Sequence, residues 1–148
     1  MDTSKIIIRN GIKIFIGIVV YFFTMKLLGL EKITELRLLN FLIVVWGVNF
    51  AIKQNIFENE INTYLSNLSI GFSTAILAVL LVAVSLVFYI SFIDNELIYL
   101  MENSRVWGND LSLGEIIFAI LIEGLASSII CTFIIMQYWK KHKLNILA

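Results

Sequence analysis

Four long apolar stretches, separated by shorter polar ones, make up most of this chain. The first is GIKIFIGIVVYFFTMKLLGL, residues 11–30, and the second is LLNFLIVVWGVNFAI, 38–52, bounded by Arg37 and Lys53. The third, IGFSTAILAVLLVAVSLVFYISFI, covers 70–93, and the fourth, GEIIFAILIEGLASSIICTFIIMQYW, covers 114–139. A transmembrane helix takes about 20 mostly apolar residues at about 1.5 Å each, a length the first, third and fourth stretches meet. As a helix the second reaches only about 22 Å, short of a hydrocarbon core of about 30 Å. It spans if Lys53 snorkels and the helix continues through QNIF; a re-entrant or buried segment is the alternative. The pattern predicts an all-α, integral membrane four-helix bundle, a single domain over 1–148. Its spans fall near 11–30, 38–56, 70–93 and 114–139.

The connecting pieces, EKITELR, KQNIFENEINTYLSNLS and DNELIYLMENSRVWGNDLSL, are too short for a separate domain. The last two mix polar groups with Ile, Phe, Tyr, Leu and Trp, a composition that suits short helices at the membrane interface. The first stretch has the basic start of a signal peptide, but its exit, TMKLLGLEK, has no A-x-A-like cleavage site, so it is read as a retained span.

Composition sharpens this picture. The chain is 59% hydrophobic, above the ~45–50% of soluble domains, and the excess lies in blocks. Net charge is zero, with 11 basic and 11 acidic residues, so overall charge points to no nucleic-acid partner. The distribution of basic residues carries more. With both termini cytoplasmic, that side holds Lys5, Arg9, Lys13, Lys53, Lys140, Lys141 and Lys143. The other side holds Lys32, Arg37 and Arg105, with Lys26 close by, so the positive-inside rule favours that orientation. Tyr89, Phe92, Trp107, Tyr138 and Trp139 gather where an interfacial aromatic belt belongs, while Trp46 sits mid-stretch.

Lipid gives no hydrophobic drive for helix association, so close packing and hydrogen bonds must supply it. Each stretch has small or polar residues at helical spacing. These are Asn10, Gly17 and Thr24; Asn40, Gly47, Ala51 and Gln54; and Gly71, Ala75, Ala78 and Ser85. The fourth has two adjacent rows, Gly124–Ser128–Thr132 and Ala119–Glu123–Ser127–Cys131. Such rows put small residues on one face of each helix and predict packing within the bundle or against a partner.

Candidate chemistry is sparse. The chain has no Gly-rich phosphate loop, no H-E-x-x-H and no Ser/His/Asp set, and its one histidine, His142, lies in a basic tail. Cys131 has no second cysteine to pair with and reads as a small buried hydrophobe. No catalytic residue, metal site or cofactor is expected. Metal binding by the outer acids Asp94, Glu96, Glu102 and Asp110, as in a lipid-modifying enzyme, would need geometry that a flexible connector does not give.

Glu123 stands out, because an ionised carboxylate near the bilayer centre costs at least about 2.5–3.5 kcal/mol. Three readings compete: a hydrogen bond to Ser127, Asn40, Asn49 or another helix, a contact to a partner subunit, and a place on a proton or cation path. Depth also allows an ion pair with Lys26. Glu123 lies about 13 Å and Lys26 about 6 Å below the outer surface. Snorkelling of Lys26 to the surface competes with that pair.

The stretch YLSNLSIGFSTAILAVLLVAVSLVFYISFIDNELIYLM has a glycine near the start of its span, a Tyr/Phe-rich exit and an acidic turn followed by a short apolar helix. With the final span and its basic tail MQYWKKHK, it resembles a family of small four-helix inner-membrane proteins of unknown function, mainly from Bacteroidota. The resemblance covers about residues 64–140. In that family a proline often follows the aspartate of the turn, where this chain has Asn95 after Asp94. The resemblance implies four spans in a bacterial inner membrane and transfers no catalytic or binding residue.

These readings lead to a non-enzymatic multi-pass membrane protein, an accessory or scaffolding subunit docking against other membrane proteins or against itself. Glu123, Gly124, Ser127, Ser128, Thr132, Gly71, Ala75 and Ala78 are the candidate packing or contact residues. The alternative is a self-assembling pore or small transporter with Glu123 on the ion or proton path.

Overall fold

The structure, a computed structural model, describes residues 2–30, 36, 38–61, 63–92 and 113–146. These residues form four α-helices: α1 (Thr3–Leu27), α2 (Leu39–Glu58), α3 (Tyr64–Phe92) and α4 (Leu113–Ile146). Each contains a segment long and apolar enough to cross a membrane, so the described residues are those of an all-α, four-helix, multi-pass membrane protein.

Helix boundaries follow from local chemistry. The Asp2 carboxylate accepts from Ser4 N at 3.2 Å and caps the start of α1, satisfying one of the amides that a helix N-terminus leaves open. At the other end Gly29 adopts φ +67°, the left-handed region that glycine enters without steric cost. Gly29 N then donates to Lys26 O and Leu30 N to Met25 O, the paired bonds of a Schellman stop. The second helix runs 20 residues, about 30 Å, because Lys53 to Glu58 continue it past the apolar run. Much of the polar stretch after Lys53 is therefore helix: Lys53–Glu58 belongs to α2 and residues 64–69 to α3.

The helices pack in a rhombus. α1 and α4 each contact both α2 and α3, and α2 packs on α3 across the short diagonal. Contacts fix the directions. Along α1 and α2, Asn10 meets Gln54 and Ile14 meets Gly47, so one number rises as the other falls and the pair is antiparallel. The same holds for α3 and α4, where Gly71 meets Thr132 and Val79 meets Gly124. α1 and α3 run parallel, with Gly11 beside Leu77 and Lys26 beside Tyr89.

The outside of the bundle is apolar, and its interior mixes apolar with polar side chains. Ile12, Ile16, Val20, Leu42, Phe88, Ile130 and Ile134 are exposed on the outside. Asn10, Asn55, Asn67, Thr74, Ser128 and Thr132 are buried inside among Ile14, Val48, Ile52 and Ala75. An apolar exterior suits lipid, where burying aliphatic side chains gains little and interior hydrogen bonds and close packing hold the helices.

Candidate functional site

α3 and α4 pack closely where two of the rows of small residues meet. Ala75 and Ala78 are fully buried, and Gly71 is buried beside Thr132, Ile52 and Val48. On α4, Gly124 lies against the Val79 side chain. Ser128 Oγ donates to Gly124 O and Thr132 Oγ1 to Ser128 O, both at 2.7 Å. Each hydroxyl is thereby satisfied within its own helix, and its apolar side is turned to α3. Between α3 and α4, Gly71 thus meets Thr132 and Gly124 meets Val79, while Ala75, Ala78 and Ser128 are buried.

The neighbouring row on α4 does not stay on one face. Residues four apart advance by about 40° around a helix, so a row spirals as it descends. Cys131, at its lower end, is fully buried, its Sγ 4.0 Å from Phe41 O of α2. Ser127 is half-buried, and Glu123, one turn above, is exposed on the outward flank. The sequence rows suggested a single face; the structure divides them between the α3 contact, the α2 contact and the outside.

Depth allows a Lys26–Glu123 ion pair; the contact the structure gives Lys26 is with α3. The Lys26 Nζ donates to Tyr89 Oη of α3 and lies 5.1 Å from the centre of that ring. Phe22 and Phe23 meet the same ring edge-on. The hydroxyl end of that ring holds the ammonium against α3, and α1 and α4 occupy opposite corners of the rhombus.

Two further expectations change. Trp139 is a core residue rather than part of an interfacial belt: it is 8% exposed, its Nε1 donates to Asn49 Oδ1 at 2.9 Å, and Phe57 meets it edge-on. Asn49, one of the partners considered for Glu123, is engaged there. Trp46 is 55% exposed and packs on Phe50 of its own helix, so it faces outward. Thr24, placed in a packing row by spacing, is exposed and bonds back to Val20 O.

A polar layer near the end that carries the N-terminus was not legible as a unit. Asn10 Nδ2 donates to Gln54 Oε1 at 2.8 Å and to Ile6 O at 2.9 Å, joining α1 to α2. Asn55 Nδ2 donates to Asn67 Oδ1 at 2.7 Å, joining α2 to α3, and Asn59 Nδ2 donates back to Asn55. Asn67 Nδ2 closes the layer on Ile61 O in the turn. The available signal was the amide content of QNIFENEINTYLSN, which reads as a solvated connector until the helices are known to run through it.

Chemically the interior offers amides, hydroxyls and one thiol. Among the described residues no three His, Cys, Asp or Glu side chains group as metal ligands. Asp94, Glu96, Glu102 and Asp110 lie outside the described residues. No family model, curated protein or solved structure matches this chain.

Proposed function

We propose that this membrane protein is a non-enzymatic accessory or scaffolding subunit that docks against other membrane proteins through the outward flank of α4. The observation that carries this reading is the place of Glu123. It is exposed nine residues into the span that begins at Gly114, about 13 Å along the helix. A carboxylate at such depth is costly unless donors or a counter-charge satisfy it. A carboxylate offers about four acceptor positions, so exposure turns some of that capacity outward, where a neighbouring helix can supply donors. Ala119, Ala126 and Ser127 surround Glu123 on the same side, and small residues let a second backbone approach closely.

The membrane is the bacterial inner membrane in this proposal, by the resemblance of residues 64–140 to the Bacteroidota family. Both termini lie in the cytoplasm, by the count of basic residues at the two ends of the spans. A photo-crosslinking amino acid at Ile130, in cells expressing the chain at native level, should give a discrete higher-mass adduct. The same group at Phe88, on the outward side of α3, should not. Equal adducts from both positions, or none from Ile130, would sink the reading.

A second reading draws on the same residue. Because Glu123 is outside the single bundle, it enters an ion or proton path only where several copies assemble around it. That pore predicts flux in proteoliposomes that Glu123→Gln abolishes; unchanged flux, or none from the wild-type chain, rules it out.

A further inference from the structure

We propose that the groove between α1 and α3 is a binding site for one phospholipid. It would come from the leaflet nearest the N-terminal end of α1. The groove, of about 390 Å³, opens sideways and is lined by Ser4, Ile7, Ile8, Ser73, Ile76, Leu77 and Leu80. Pockets that hold small organic ligands run from about 300 to 1,000 Å³. It lies away from the α4 flank, so this inference is independent of the docking proposal.

The groove is polar at one end and aliphatic along the rest. α1 and α3 run parallel, with Gly11 level with Thr74 and Leu77, so Ser4 comes level with residues near Ser69. Ser69 precedes Ser73 by one helical turn on the same side of α3 and is exposed. Ser4 and Ser69 therefore stand at the mouth, with Ser73 one turn further in, and Lys5, next to Ser4 on α1, is exposed. The hydroxyls of Thr24, Thr74, Ser85, Ser128 and Thr132 all donate to carbonyls of their own helices. Those of Ser4, Ser69 and Ser73 make no hydrogen bond with the described residues. Three hydroxyls at one mouth match the acceptor oxygens of a lipid phosphate and its ester linkages, and the long stem of the exposed Lys5 gives its charge the reach to meet the phosphate.

Length agrees with this assignment. From Ser69 to Leu80 the α3 wall rises about 16 Å, close to half of a hydrocarbon core of about 30 Å. A groove one leaflet deep, polar at the headgroup level and aliphatic to the midplane, has the polarity of a single phospholipid. Leu77 packs its side chain over Gly11, which closes the floor of the groove between the two helices.

The test uses the full chain in nanodiscs containing a phospholipid with a photoactivatable group near the end of one acyl chain. After irradiation, adducts are mapped by mass spectrometry. Labelling concentrated on Ile8, Ile76 and Leu80 is the expected result; labelling spread evenly over outward residues of all four helices overturns the proposal. Ile76→Trp fills the groove wall and deprives the chain of contact with about two methylene groups, so labelling there falls about tenfold. The control Ile134→Trp, on α4, leaves it unchanged. Should Ile76→Trp misfold, the wild-type map still decides. A second comparison uses photoactivatable diacylglycerol, which lacks the phosphate. The wild-type groove labels poorly with it, and Lys5→Ala with Ser69→Ala lowers phospholipid labelling to that level. Equal labelling by the two lipids overturns the assignment of the mouth to a phosphate.

Discussion

Gly124 of α4 lies so close to Val79 of α3 that a β-carbon on the glycine would stand 2.5 Å from Val79 Cγ1. No real side chain tolerates that approach, so the helices can meet at this separation only because residue 124 has none. Gly124→Ala should therefore destabilise the bundle by overpacking, by about 1–3 kcal/mol. Equilibrium unfolding in mixed micelles measures this, and Val79→Ala in the same chain should restore much of the loss. A neutral Gly124→Ala would mean that this contact is looser than described.

The bond from Asn10 to Gln54 ties α1 to α2 beside the close contact of Ile14 with Gly47. Interhelical hydrogen bonds in membranes average about 0.6 kcal/mol and reach about 1.7. A double-mutant cycle with Asn10→Ala and Gln54→Ala should return a coupling in that range. Additive single effects would show that the two amides do not support one another.

Trp139→Phe keeps the ring but removes the donor to Asn49, leaving a polar group without its partner in a low-dielectric interior. The expected cost is about 1–3 kcal/mol. Adding Asn49→Leu should recover part of it, because replacing both partners by apolar groups removes the unsatisfied atom. No recovery would locate the cost in ring packing against Phe57 instead.

Lys26 and Tyr89 should couple, and Lys26 and Glu123 should not. The cycle Lys26→Met with Tyr89→Phe is expected to depart from additivity, while Lys26→Met with Glu123→Gln is expected to sum. Thermal unfolding in one detergent serves both cycles. The reverse pattern would restore the ion pair that depth alone allows.

How much could be read from the chain differs by feature, for physical reasons. Hydropathy alone locates the apolar centre of each helix, because a lipid-facing helix must be apolar along most of its length. The helix ends were harder. Residues 53–58 and 64–69 look like a polar connector because asparagines that bond to one another inside a bundle have the same composition as asparagines in water. The rows Gly71, Ala75, Ala78 and Gly124, Ser128, Thr132 were legible because small residues at helical spacing have few other uses in a membrane helix. Their neighbours Glu123 and Cys131 were not separable, since an i, i+4 row drifts around the helix and spacing does not say where it leaves the interface. Trp139 shows the same limit: an indole beside a basic tail fits an interfacial belt, and only the position of Asn49 on α2 draws it inward.

The claim that matters most is that Glu123 marks a surface for another membrane protein. The direct measurement compares wild-type chain and Glu123→Leu, extracted in a mild detergent from membranes at native expression and sized by native electrophoresis. The account predicts that the wild-type chain migrates in a larger assembly. The Glu123→Leu chain should migrate alone, with unchanged helical content. A lone wild-type chain, or a Glu123→Leu chain that loses stability while remaining in the assembly, would contradict it.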